Sequence, residues 1–187
     1  MSKVPSVHCE AKYFSSPLIL VHVEELFKQW GLDFIGEINP PSSAQDKWIL
    51  MATYYFTKWV EAILARTATN LVVIKFMEEN ILSLVSCSFK IIANNSQVFR
   101  STKFNILFHK LSMIIGHSTT YYPQGNGLVE SSNKAMVRVL KKTITENQRN
   151  WNSQLNFSLW ANRVTPKRST GKSRYELVYG KVVVFPI

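Results

Sequence analysis

Tyr121-Tyr122-Pro123-Gln124-Gly125-Asn126-Gly127-Leu128-Val129-Glu130 is the stretch on which the reading of this chain turns. Its Pro-Gln-Gly-Asn-Gly run forms turns, because glycine takes positive φ without steric cost and proline presets its own φ. The run delivers one carboxylate, Glu130, onto the first turn of a helix. That helix then becomes strongly basic, with Lys134, Arg138, Lys141 and Lys142. A single acid entering a basic helix is an odd arrangement for a packing element. It suits an acid that binds a metal ion beside a nucleic-acid backbone.

Charge along the rest of the chain points the same way. The net charge is +10 over 187 residues. Residues 131–187 carry 11 Lys/Arg against 2 Asp/Glu, whereas residues 1–130 carry 11 against 10. Segregation of this kind marks a polyanionic partner, with a solvated basic surface as the plainer alternative. A hydrophobic content of 46% supplies a core and excludes disorder. The length fits one domain, with room for a short appendage. No apolar run approaches the ~20 residues of a membrane span. The Leu18–Val21 run is short and is followed by His22 and two glutamates, unlike a secretory leader. Cys9 and Cys87 make no disulfide framework and point to a reducing compartment. Only two aspartates are present, Asp33 and Asp46.

Periodicity gives the element order. Residues 30–38 read as a strand, 39–43 as a loop, and 48–53 and 55–63 as two more strands of an antiparallel meander. Thr69 caps a helix to about Asn80, with Leu71, Ile74 and Phe76 inward and Glu78 and Glu79 outward. Residues 89–93 form an apolar strand. Ser101 caps a helix to Lys110 with Phe104, Leu107 and Phe108 inward, and 113–117 form a fifth strand. A long helix spans about Leu128 to Asn147, its buried stripe running through Val129, Ala135 or Met136, Val139 or Leu140, and Ile144. Another spans Trp151–Arg163 with Trp151, Leu155, Leu159 and Trp160 inward. Three strands before the first helix imply an α/β fold on a mixed five-stranded sheet, an antiparallel meander joined to parallel crossovers. In such a sheet Asp33 is either a residue of a solvent face or a paired or metal-bound acid, since burying it alone is costly. Asn94 follows a strand whose carboxyl end is where α/β sheets place sites, and it is also a good turn former.

Several segments, in order, resemble the catalytic core of retroviral and gypsy-type long-terminal-repeat retrotransposon integrases. They are Trp30-Gly31-Leu32-Asp33-Phe34-Ile35-Gly36, residues Ala52 to Ala62, Ile91-Ile92-Ala93-Asn94-Asn95-Ser96, Tyr121 to Glu130 with Asn133-Lys134, and Gly171 to Pro186 with Tyr-Glu-Leu-Val-Tyr-Gly. The resemblance covers roughly Trp30 to Pro186. It implies an RNase H-like fold and an Asp, Asp, Glu triad holding two divalent ions, Mg²⁺ or Mn²⁺, for in-line phosphoryl transfer. Asp33 matches the first acid and Glu130 the third, which makes these two the metal ligands. Asn94 stands at the second position: 35 residues separate Asn94 from Glu130, as the family spacing requires. The second acid is therefore an amide, neutral and a weak metal ligand, and the resemblance marks a degenerate copy. Ser96 replaces the family's turn glycine, and Tyr54 stands where the Asp of its Ala-Thr-Asp-Tyr-Phe segment would be. Metal-dependent strand transfer is expected to be lost or nearly lost, while the fold survives.

The same resemblance sets the remaining expectations. Gln124, Asn126, Asn133, Lys134, Lys141 and Lys142 are the candidate nucleic-acid contacts, with Arg163, Lys167 and Arg168 extending the surface. The partners are DNA, as retroelement ends and target, and further copies of the chain, with no membrane. The place of action is the nucleus, or a cytoplasmic particle before nuclear entry. A zinc module would precede the core, but Cys9 has Lys12 where its partner cysteine would stand, and His8 and His22 lack matching ligands, so zinc is not expected. The division is 1–29 as an irregular remnant of that module, 30–165 as the catalytic core and 166–187 as a basic extension. The two ends look like gene-model edges. The alternative to an integrase-type core is a non-catalytic DNA-binding or self-associating module, or an unselected transposon remnant.

Overall fold

β1 (Gln29–Ile35), β2 (Trp48–Tyr54) and β3 (Val60–Ala65) form an antiparallel meander in a computed structural model that describes residues 29–84, 90–94, 96–117, 127–143 and 148–184. β4 (Lys90–Ala93) joins β1 in parallel, and β5 (Ile114–His117) joins β4 in parallel. The sheet order is β3-β2-β1-β4-β5, the mixed five-stranded sheet that the element order implies.

Alternation along the strands builds two cores. Trp30 and Leu32 of β1, with Leu50, Ala52 and Tyr54 of β2, face α1 (Asn70–Phe76) and α2 (Thr102–Lys110). Ile49, Met51 and Val60 face the other way. They pack on Met136 and Leu140 of α3 (Gly127–Thr143) and on Trp151, Leu155 and Leu159 of α4 (Trp151–Val164). Asp33 lies opposite Met51 in the register, so it belongs to the α3 face.

Both expected caps are present. The Thr69 hydroxyl accepts from Val72 N at 3.4 Å and the Ser101 hydroxyl from Phe104 N at 3.2 Å. α1 continues as a wider π turn over Met77–Ile81, and its buried set is Val73, Phe76, Met77 and Ile81. Leu71, expected inward, is 60% exposed. The cap at Thr69 fixes the helix phase so that Val73 faces the sheet instead. Glu78 and Glu79 are exposed as expected.

The third strand starts later than the run 55–63 suggested. Tyr54 N donates to Trp59 O and Lys58 N to Tyr54 O, which closes the hairpin, and Lys58 takes φ +63° there. The aromatic run from Tyr55 therefore spends three residues in the turn. Trp160, expected inward, is 45% exposed. The α4 stripe runs through Trp151, Leu155, Ser158, Leu159 and Asn162, and one residue on from Leu159 is about 100° round the helix. Trp160 instead meets Tyr175 edge-on at 6.4 Å.

Tyr175 belongs to α5 (Arg174–Tyr179), a helix within the basic stretch 166–187 that strand and helix periodicity did not reveal. Its signal was present as a capping box, Ser173 and Glu176, each side chain bonded to the other's backbone N–H. Tyr175 and Val178 pack against the α1–α2 core. Among the described residues no helix is long and apolar enough to cross a membrane.

Candidate functional site

The site forms where the chain leaves β1 and β4 toward opposite sides of the sheet. Leu32 pairs with Ala93, so the next residues, Asp33 and Asn94, stand side by side at the carboxyl ends of two parallel strands. Open α/β sheets place ligands in this crevice. Asn94 Nδ2 donates to Asp33 Oδ1 at 2.8 Å. Its other end, Oδ1, accepts from Ser96 N at 3.1 Å. That local turn fixes which end of the amide faces Asp33, because only the NH₂ remains. Asn94 is thus a turn residue and a site residue together.

The third element arrives because of a glycine. Gly31 lies two residues before Asp33 on the same face, and a Cβ there would sit 2.0 Å from Val129 Cγ2. Without one, α3 rests directly on β1. One turn beyond Val129, Asn133 Nδ2 donates to Asp33 Oδ2 at 2.9 Å. Phe34 N donates to Asp33 Oδ1 at 2.9 Å. Both oxygens of the half-buried Asp33 are therefore engaged by amide donors. Burial pushes the Asp33 pKa above the ordinary carboxylate value and the Glu130 charge adds to the rise, while the bonds from Phe34, Asn94 and Asn133 pull against it. Asn133 is only 8% exposed, and its Oδ1 is buried without a hydrogen-bond partner.

Glu130 and Lys134 are exposed on adjacent turns of α3. With Asp33 and Asn133 they line an open groove of about 660 Å³ that continues along α3 past Arg138 to Lys141 and Lys142. The acids thus occupy one end with Lys134 beside them, and Arg138, Lys141 and Lys142 follow along the helix. Arg138, Phe34, Ile35 and Val137 also line it, and none was a candidate contact from sequence. For Arg138 the signal was available, since it follows Lys134 by four residues and so shares its face.

The structure does not gather every expected contact. Arg163 is committed elsewhere: it pairs with Glu61 at 2.8 Å, donates to Val60 O at 2.9 Å and lies 4.5 Å over the Trp59 ring. Its place opposite β3 makes it a strut between α4 and the sheet edge. Gln124 and Asn126 fall outside the described residues, as do Cys9, His8 and His22 of the degraded zinc pattern.

Two divalent ions need several hard oxygen ligands converging on each. The donor set here offers two carboxylates, one of them with both oxygens engaged by amide N–H groups, and an NH₂ where a third anionic oxygen would be needed. No group of three or more His, Cys, Asp and Glu residues able to hold a metal ion occurs among the described residues. These residues do not fit a two-metal centre.

No protein-family model matches the chain. It is 29% identical over 153 residues to the Gag-Pol polyprotein of avian reticuloendotheliosis virus, covering 82% of this chain and 13% of that protein. It is 31% identical over 152 residues to the Gag-Pol polyprotein of gibbon ape leukemia virus, covering 81% of this chain and 9% of that protein. The chain thus spans a small part of the relatives it matches. Its fold matches a chain in the cryoEM structure of the simian T-cell lymphotropic virus intasome in complex with the PP2A regulatory subunit B56 gamma. That match has a TM-score of 0.69 and 19% identity, covering 86% of this chain and 57% of the other.

Proposed function

The chain is integrase-like, with relatives among retroviral Pol polyproteins, and on that premise we propose that it is a nucleic-acid-binding core whose strand-transfer chemistry is lost or nearly lost at Asn94. One observation carries the loss: the Asn94 amide donates to Asp33 Oδ1 at 2.8 Å. A carboxylate at that position would share a cation with Asp33. The amide instead supplies its own partial positive charge where a third carboxylate would stand beside Asp33. Losing one anionic ligand from a shielded site costs several kcal/mol of cation binding at an order of magnitude, and each ~1.4 kcal/mol is tenfold in rate.

Binding does not depend on Asn94. The cations of the groove lie on α3, positioned by packing of Val129, Met136 and Leu140 on the sheet. The reading is that phosphates lie along this groove beside Glu130, with contacts dominated by charge and little sequence preference. This also supports the second reading, a DNA-binding module without catalysis.

The two are separated by strand-transfer assays with matching terminal-repeat DNA ends and Mg²⁺ or Mn²⁺, run on the chain and on Asn94→Asp. Gain of transfer only in the variant supports the proposal. Robust transfer by the unaltered chain overturns it. Binding to DNA that does not weaken with rising salt overturns the groove assignment.

A further inference from the structure

Four aromatic rings follow one another across α4, α5 and the turn before β3. Trp160 of α4 meets Tyr175 edge-on at 6.4 Å between ring centroids. Tyr175 meets Tyr179 at 4.7 Å, and Tyr179 meets Trp59 edge-on at 5.6 Å. Local structure explains the row. Tyr175 and Tyr179 are four residues apart on α5, so they lie one turn apart on one face. The capping box at Ser173 and the left-handed Gly180 fix the two ends of that helix. Trp59 anchors the row: its Nε1 donates to Glu61 at 2.7 Å, and the Arg163 guanidinium lies 4.5 Å over its ring.

The row rises from the core to the surface. Trp59 is buried, whereas Trp160 is 45% and Tyr179 50% exposed. Trp59 and Tyr179, with Leu84 and Val178, also line a cavity of about 180 Å³. That is about six times the share of one water in the liquid, room for a single base. Fixed rings that stand half in water beside such a cavity mark a binding surface. Charge selects what binds there. Residues 166–187 carry five Lys/Arg against Glu176 alone. Exposed Lys172 precedes α5 and exposed Lys181 follows it. A Glu176 oxygen is taken by Ser173 N at 2.7 Å. Rings bracketed by cations suit a ligand that repeats a flat face and a negative charge, as a single-stranded polynucleotide does. A proline-rich peptide also docks on aromatic grooves, but it brings no charge to answer the lysines.

We propose that Trp160, Tyr175 and Tyr179 form a stacking platform for the unpaired bases of a single-stranded polynucleotide, with Lys172 and Lys181 on its phosphates. The platform shares no residue with the Asp33–Glu130 groove and does not rest on the reading of that groove.

The test is fluorescence anisotropy on the full chain with three labelled probes: a short oligothymidylate, an abasic strand of the same length and charge, and a duplex. Phosphate contacts anywhere on the protein act alike on the first two, so their affinity ratio reports stacking alone. The oligothymidylate is expected to bind about tenfold more tightly than the abasic strand. Trp160→Ala and Tyr179→Ala should each lower that ratio several-fold and leave abasic and duplex binding in place. Tyr179→Phe should keep the ratio, because a phenyl ring also stacks. Since Tyr179 packs on Trp59, this variant and the melting temperatures separate loss of the ring from loss of the fold. A ratio of one in the unaltered chain, or an unchanged ratio in both alanine variants, overturns the proposal. So does a ratio of one together with self-association that Trp160→Ala abolishes, which would assign the face to a second copy of the chain.

Discussion

Asn94→Asp tests the central argument without any assay of DNA chemistry. The substitution replaces a donor by an acceptor 2.8 Å from Asp33 Oδ1. It leaves two carboxylates with charge centres about 4 Å apart, worth about 4 kcal/mol of repulsion at an effective dielectric of 20. Asp33 is half-buried beside an open groove, so solvent reduces that to ~1–2 kcal/mol. The lost hydrogen bond to a charged group adds ~1.5–3 kcal/mol. A net loss of roughly 3 kcal/mol lowers the melting temperature by about 6–12 °C for a chain of this size. The new pair is also a cation site. Free Mg²⁺ at about a hundred times its dissociation constant returns ~2.7 kcal/mol. The assay is a thermal melt of both proteins in EDTA and in a Mg²⁺ series. The variant should melt low in EDTA and recover with Mg²⁺, while the unaltered chain, if the amide at position 94 keeps Mg²⁺ out as proposed, stays within about a degree throughout. The deficit in EDTA should shrink as pH falls, because two close carboxylates share one proton. Equal stabilisation of both proteins by Mg²⁺, or a variant as stable as its parent in EDTA, would refute the reasoning.

Other perturbations separate packing from contact. Gly31→Ala drives a methyl into Val129 and should cost ~1–3 kcal/mol in urea unfolding; a neutral result would mean that α3 does not rest on β1. Asp33 has its pKa raised in the fold, so the native state binds that proton more tightly than the unfolded chain. Stability should therefore fall as pH rises from the unfolded carboxylate value through the raised one, then level off. Asp33→Ala should remove that slope, read from urea melts across acid pH. Arg163→Met strands Glu61 beside Trp59, with an expected loss of roughly 2–4 kcal/mol and DNA affinity unchanged in filter binding. Lys134→Ala should do the reverse, leaving the melt alone while the log-log salt slope of DNA binding falls by about 1.

The contrast between these last two variants shows what the sequence could and could not say. Both residues read as basic positions in the cation-rich segment 131–187. Charge patterning cannot tell a cation that faces solvent from one whose carboxylate lies on a distant strand, and Glu61 is 102 residues from Arg163 in the chain. Strands and helices were legible where apolar periodicity ran unbroken, as in β1, β2, α2 and α3. They were misread where aromatic residues serve in a turn, at Tyr55, or where a cap shifts the helix phase, at Leu71. α5 was hidden because its six residues are too few to show a period, although its capping box was in plain view.

The site was legible as a spacing and not as a geometry. Sequence placed Asp33, Asn94 and Glu130 together, yet gave no direction to the Asn94 amide. Direction decides the chemistry. With Oδ1 committed to Ser96, the NH₂ must face Asp33, and it takes the place that the attraction of a cation would otherwise fill. Asn133 does the same from α3, on the other oxygen. The acid at the head of β1 is thereby stabilised by the protein's own donors. The groove cations on α3 take no part in that exchange, since their positions follow from packing of the opposite helix face. The amide at position 94 and the groove cations are therefore set by different parts of the fold, so a substitution at one should leave the other in place.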